Sequence, residues 1–131
     1  MQVAAYRILY HSLLSGPAHI HGIANISKVA REYTQKTGIS GLLMFDGERF
    51  CEYLEGPVEP MQALLARIRT DVRHTQMQVL YEAHDPQPRL FKQWSMAYVT
   101  EESQPLQQIT GLTGWAAVEK LLLLQHGFDT A

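Results

Sequence analysis

Asp46-Gly47 falls between two apolar runs in ISGLLMFDGERFCEYLEG, residues 39–56, and Asp-Gly in that setting is the strongest short-range signal for a β-hairpin. Strands joined by so short a turn pair with each other, which sets a sheet at the centre of the fold. With Asp46 and Gly47 as the two turn residues, Phe45 faces Glu48, Leu43 faces Phe50 and Gly41 faces Glu52. A side-chain period of two then puts all six on one face together with Leu54. Phe45, Leu43, Phe50 and Leu54 make it the core face. Glu52 is therefore an inward carboxylate opposite a residue that has no side chain.

Two readings of Glu52 stay open at this point. In one it lies near the sheet edge or pairs with an arginine of a covering helix such as Arg67, and its work is structural. In the other a ligand fills the room at Gly41 and touches Glu52, because a buried carboxylate without a partner costs several kcal/mol or takes up a proton.

Around the hairpin the pattern alternates between strand and helix. From Val3 to Ser12 the alternation places Tyr6, Ile8 and Tyr10 on one face and Arg7, Leu9 and His11 on the other, which predicts a strand. Ser15-Gly16-Pro17 breaks it. Residues 20–36 then carry Ile23, Ile26, Ala30 and Tyr33 at helical spacing, with Gly38 just past the end as a left-handed cap. After the hairpin, Pro57 and Pro60 open a second helix whose Met61, Leu64, Leu65 and Ile68 form an i, i+3, i+4, i+7 stripe ending near Thr70-Asp71. Residues 76–82 predict a half-buried strand with Met77, Val79 and Tyr81 on one face. A loop at Asp85-Pro86-Gln87-Pro88 follows, then a last strand over 94–99 with Trp94, Met96 and Tyr98 on one face.

The order β-α-β-β-α-β plus a further strand predicts an α+β ferredoxin-like sandwich, with both helices on one side of a mixed sheet. Residues 1–100 form this domain, and 101–131 a helical extension. In the extension Leu106, Ile109 and Leu112 precede a breaker at Gly114 and a helix from Trp115 to about His126, closed by Gly127. Leu121 to Leu124 are apolar all round, so the helix is expected on the sheet's open face, on a twin subunit, or on both, with its Trp115, Val118, Leu122 and Gln125 side docked in the fold.

A chain of 131 residues predicts one domain, with no separate catalytic or output domain expected. Eleven basic and thirteen acidic residues, net −2, are spread along it, which argues against nucleic acid or an anionic membrane as partner. No stretch approaches a membrane span or a cleavable leader, which predicts a soluble cytoplasmic protein. Cys51 is the only cysteine, and it reads as a small strand residue on the face opposite Glu52. His19 and His21 share a face of an extended loop, but no third metal ligand is implied nearby. Arg73-His74 reads as a solvated helix exit unless other features indicate a ligand there.

Other features do. ILYHS at 8–12, GISGLLMFDGERF at 38–50, YLEGP at 53–57, RIRTDVRH at 67–74 and FKQWSM at 91–96 together resemble the BLUF family, the blue-light sensors using flavin. The likeness runs in order from Val3 to Thr100. It implies a flavin, FAD, whose ring lies between the two helices on the core face where Gly41 leaves space. In that family a tyrosine of the first strand gives an electron to the excited flavin, a glutamine of the third strand relays the proton and rearranges its hydrogen bonds, and an asparagine late in the first helix holds the ring's polar edge. The resemblance places Tyr10 at the tyrosine position and Trp94 and Met96 at switching positions of the last strand. It makes Tyr33, Thr34, Arg67, Ile68, Asp71, Arg73 and His74 cofactor-binding positions beside Tyr10 and Glu52.

Two of these positions depart from the family. Glu52 stands at the glutamine position and Thr34 at the asparagine position, with Tyr33 before it. A carboxamide donates and accepts at once and has an imidic-acid tautomer, whereas an ionised carboxylate only accepts. Thr34 offers one short hydroxyl in place of a bidentate amide, a loss of about 0.5–1.5 kcal/mol per missing hydrogen bond. The resemblance thus implies a non-enzymatic flavin sensor that changes its contacts with a partner protein, with altered photochemistry, while the apolar C-terminal helix predicts a homo-oligomer. The alternative is a flavin-free, light-insensitive dimerisation or protein-binding module. An acylphosphatase-type enzyme ranks third, since no phosphate-cradling loop follows the first strand.

Overall fold

The computed structural model describes residues 4–15, 23–99, 105–125 and 129–130. In chain order these form β1 (Ala5–Leu14), α1 (Ile23–Thr37), β2 (Ser40–Phe45), β3 (Arg49–Gly56), α2 (Val58–Thr70), β4 (His74–Asp85), β5 (Trp94–Tyr98), α3 (Pro105–Thr110), α4 (Trp115–Leu124) and the two-residue β6 (Asp129–Thr130). The sheet order is β4-β1-β3-β2-β5-β6. β1 pairs antiparallel with β3 and β4, and β2 antiparallel with β3 but parallel with β5. The ferredoxin-like sandwich is thus present, with β5 extending it beyond β2. His19, His21 and Gly127 lie outside the described residues, as does most of the loop after the first strand.

The two faces carry separate cores. On one, α1 and α2 cover Ile8, Tyr10, Leu43, Phe45, Phe50, Leu54, Trp94 and Met96. Met61 and Leu65 of α2 are fully inside, each worth about 1.5–3 kcal/mol of burial. Gly38 ends α1 with φ +78°, and its N–H and that of Ile39 bond to the Thr34 carbonyl at 3.0 and 3.2 Å, the left-handed termination expected. On the other face, α3 and α4 pack over Leu9, Leu42, Met44, Cys51, Tyr53 and Leu80.

The hairpin register differs from the expectation by two residues. Phe45 pairs with Phe50, Leu43 with Glu52 and Gly41 with Leu54. The turn residues are Gly47 and Glu48, not Asp46 and Gly47, because Asp46 acts as a cap. Its Oδ1 accepts from Glu48 N at 3.0 Å and Arg49 N at 2.6 Å, while its own N–H bonds to the Arg49 carbonyl. Gly47, with φ +97°, then occupies the first turn position, where positive φ is needed. A shift of two keeps every side chain on its face, so Glu52 still points inward. Gly41 leaves no void, however. It sits at φ +155°, and a Cβ there would lie 2.0 Å from the Tyr53 carbonyl oxygen, so the missing side chain makes room for the backbone of β3.

Two further expectations are corrected. β4 does not keep one face, because an irregularity pairs Leu9 with Tyr81 and Tyr10 with Val79 and leaves Leu80 between them. Met77 packs with the α1/α2 core, whereas Leu80 and Tyr81 join the other. In α4 the inward side is Ala117, Val118 and Leu121. Trp115 is 46% exposed and meets Tyr81 edge-on.

Candidate functional site

Between α1, α2 and the sheet lies a cavity of about 180 Å³. Val29, Ala30, Leu43, Phe50, Leu54, Leu64 and Ile68 give it apolar walls, and Tyr10, Ser12, Tyr33, Thr34, Glu52, Arg67, Asp71, Arg73, His74 and Trp94 supply polar groups. It is bounded by both helices because their last turns, carrying Tyr33-Thr34 and Arg67-Ile68, end over the same part of the sheet.

Glu52 does not pair with Arg67, whose guanidinium lies over the Tyr33 ring at 5.3 Å. Three strands bring its real partners together. Tyr10 is Glu52's cross-strand neighbour on β1, and its hydroxyl donates to Glu52 Oε1 at 2.5 Å. Trp94 on β5 donates its indole N–H to Oε2 at 2.9 Å, and Arg31 covers its ring at 5.5 Å. Each carboxylate oxygen thus holds one donor, with no cation among the two. Burial pushes the Glu52 carboxyl above its usual range, and the donations from Tyr10 and Trp94 only partly oppose it. Burial first, and then the neighbouring Glu52, drive the Tyr10 phenol well above its ordinary value.

Another part of the cavity wall is built differently. Asp71 and Arg73 form a two-pronged ion pair, with Nη2 to Oδ2 at 2.6 Å and Nε to Oδ1 at 3.0 Å. Hydrogen bonding from Arg73 holds the Asp71 carboxyl below its usual range. His74 Nε2 meets the Ile68 carbonyl at 2.5 Å. A carbonyl only accepts, so Nε2 is the nitrogen that donates here and Nδ1 is the ring's other polar atom. That Nδ1 and Ser12 Oγ are buried with no hydrogen-bond partner among the described residues. Unpaired buried polar atoms of this kind are rare and indicate an absent partner.

Thr34 is buried, and its hydroxyl donates to the Arg31 carbonyl of its own helix at 3.1 Å. It does not reach into the cavity as a donor. Of the residues singled out from the sequence, Tyr10, Tyr33, Thr34, Glu52, Arg67, Ile68, Asp71, Arg73, His74 and Trp94 surround this cavity, while Met96 is fully buried in the core and absent from its lining. Ser12 was not singled out. Its signal was parity, since it stands two residues after Tyr10 on the same strand.

Comparison with known proteins places this geometry. The family model for sensors of blue light using FAD, BLUF, matches residues 5–97. The chain is 32% identical over 93 residues to the photoactivated adenylate cyclase subunit alpha-like protein FB of Euglena gracilis, a match covering 69% of this chain and 9% of that protein. It is 31% identical over 93 residues to photoactivated adenylate cyclase subunit beta of the same organism, covering 69% and 11%. The chain therefore spans about a tenth of the length of these curated relatives. Among solved structures, the dark state of the BLUF protein BlrB matches with a TM-score of 0.73 at 25% identity, over 92% of this chain and 94% of that one. A bacterial light-regulated adenylyl cyclase matches with a TM-score of 0.69 at 27% identity, over 93% and 36%. With the matched segment running from β1 to β5 and enclosing the whole cavity, the chain belongs to the BLUF family of flavin-based blue-light sensors.

Proposed function

We propose that this chain holds FAD in the cavity between α1, α2 and the sheet, and that it reports blue light through changed contacts with a partner protein rather than by catalysis. The observation that carries the reading is the cavity itself: apolar walls, with Ser12 Oγ and His74 Nδ1 buried and without a hydrogen-bond partner among the described residues. A bound flavin supplies absorption of blue light and an acceptor for one electron. Tyr10 would be the residue to give up an electron, and Glu52 Oε1, already bonded to its hydroxyl, would take the phenol proton when Glu52 is ionised. Trp94 fixes the second oxygen. Leu43, Phe50 and Leu54, all buried, exclude water, and Arg67 and the Asp71–Arg73 pair would meet the polar parts of the cofactor. The unit that senses is 1–100, and 101–131 is the extension through which a twin subunit or partner is met. Among the described residues no helix is long and apolar enough to cross a membrane, and a cytoplasmic setting is part of the reading.

A second reading is a flavin-free module for dimerisation or protein binding. It is favoured by the closure of Tyr10, Glu52 and Trp94 on one another and by Thr34's donation to its own helix, which satisfy these groups without a ligand. The visible spectrum of freshly purified protein separates the two: flavin bands that stay with the protein through gel filtration support the first. A colourless protein that takes up no added FAD refutes it.

A further inference from the structure

The far face of the sheet carries a buried ionic cluster that the sensing site does not use. Glu55 is fully buried on β3, three residues from Glu52 and on the opposite face. Its carboxylate takes Arg7 Nη1 at 2.5 Å, the Tyr53 hydroxyl at 3.2 Å and Ser40 Oγ at 3.4 Å. It also takes two backbone donors from the β4–β5 connection, Leu90 N at 3.0 Å and Phe91 N at 2.7 Å. Arg7 holds the same connection from its other end, through Asp85 at 2.9 Å and the carbonyls of Gln87 and Pro88. Three residues after Phe91 the chain reaches Trp94, whose indole bonds to Glu52. Between them the Gln93 carbonyl accepts from Gly41 N at 3.3 Å, and Phe91 packs against Tyr53 with centroids 5.7 Å apart.

We propose that Glu55 is a positioning residue for the sensing site: by gripping the backbone at Leu90 and Phe91 it sets where Trp94 enters the sheet, and so keeps the indole N–H on Glu52. Arg89 also ties the connection to the Gly38 carbonyl and Ser40 Oγ, and the two charge-assisted bonds to one buried carboxylate restrain it where it lies nearest to Trp94 in the chain. The link runs through the sheet, from the face covered by α3 and α4 to the face that holds the cavity. Its meaning for light sensing rests on the flavin reading above; the grip on Trp94 does not.

The test therefore reads the indole directly. The chain has two tryptophans, so a spectrum of 15N-labelled protein holds two indole N–H signals, with Trp115 as internal control. In the double variant Arg7→Met with Glu55→Gln both buried charges leave together, which avoids stranding either one. Trp94's signal is expected to move upfield and its solvent exchange to quicken roughly five- to tenfold, the effect of one typical hydrogen bond, while Trp115's signal stays. The single variant Arg7→Met, which keeps the Leu90 and Phe91 bonds to Glu55 while removing Arg7's own hold on Asp85, Gln87 and Pro88, should leave Trp94's signal nearer the parent's. In the unmodified chain, the Leu90 and Phe91 amides and the Trp94 indole should exchange through one shared opening. An unmoved Trp94 signal in the folded double variant overturns the proposal. So does an indole in the unmodified chain that exchanges independently of those amides. Neither measurement needs flavin, so a colourless protein that takes up no added FAD refutes the flavin reading and leaves this one standing or falling separately.

Discussion

Glu52→Gln changes one atom and should alter how stability depends on pH. The carboxylate accepts from Tyr10 and Trp94 at 2.5 and 2.9 Å. An amide has one accepting oxygen and one donating nitrogen. The indole can only donate, so it keeps the oxygen; the phenol does both, so it turns and accepts from the NH2. The number of contacts survives while the buried charge is gone. Burial is the leading influence on Glu52 and raises its pKa, so above the usual carboxyl range the folded chain keeps a proton that the unfolded chain has released. Its contribution to stability is fully present below the unfolded pKa and is lost as pH rises through the folded one. In that window stability falls by up to about 1.4 kcal/mol per pH unit for one proton. Glutamine carries no such proton, so the variant should gain on the parent as pH rises and then hold a constant lead. Urea unfolding of both proteins in steps from about pH 4.5 to 8, spanning the ordinary carboxyl value upward, measures the difference directly. Parallel stability curves across the range, or a parent that gains with pH, would refute the reasoning.

Three other outcomes follow from the same contacts. Thr34→Asn should raise flavin retention through gel filtration by restoring the amide that Thr34's hydroxyl, committed to the Arg31 carbonyl, does not replace; equal retention in both proteins would mean the ring's edge is elsewhere. Tyr10→Phe removes the donor on Glu52 Oε1 and should cost about 1–3 kcal/mol of stability as well as suppress any flavin photoreduction, so an unchanged photoreduction rate would exclude Tyr10 as electron donor. Leu123 is 72% exposed and Trp115 46%, an apolar surface that a twin subunit would cover: light scattering should give a dimer or larger for the parent and a smaller mass for Leu123→Glu, and a monomeric parent at high concentration would count against it.

What the sequence revealed and concealed divides along physical lines. Face assignments on β1, β2 and β3 were legible because a period of two is insensitive to a two-residue register error, so Glu52 was placed inward although its partner across the hairpin was misread. The error came from Asp46, whose side chain caps the turn instead of entering it. The Gly41 cavity was a wrong inference with a right neighbourhood: glycine was read as absence, whereas its φ of +155° and the nearby Tyr53 carbonyl make it a close approach of two strands. In β4 the alternation was visible but the extra residue was not, since an irregularity is a property of the pair of strands and not of either one. Trp94 as Glu52's partner was out of reach from periodicity alone. It required β5 to lie parallel beside β2, a long-range pairing that no local pattern encodes. The choice of inward side on α4 failed for a related reason, because four consecutive leucines leave the face to be decided by what the sheet offers.

The substitution at Glu52 also limits what kind of switch this site can be. Rotating an amide by half a turn exchanges donor and acceptor, so one side chain has two distinguishable hydrogen-bond states. The same rotation of an ionised carboxylate returns the same state, with Tyr10 and Trp94 still donating inward. Only a protonated Glu52 breaks that symmetry, because its single O–H can face one way or the other. Any reversible response that depends on rearranging residue 52 is therefore available only to the acid form, which burial favours up to the raised folded pKa. In flavin-loaded protein the light-minus-dark difference spectrum should accordingly show no reversible red shift at pH values where Glu52 is ionised, and at most a small one where it is protonated. Glu52→Gln, best combined with Thr34→Asn, should bring a shift that no longer follows this titration. A full reversible red shift in the unmodified protein, equal in size from acid to alkaline pH, would show that a carboxylate can do what the amide does and would sink this argument.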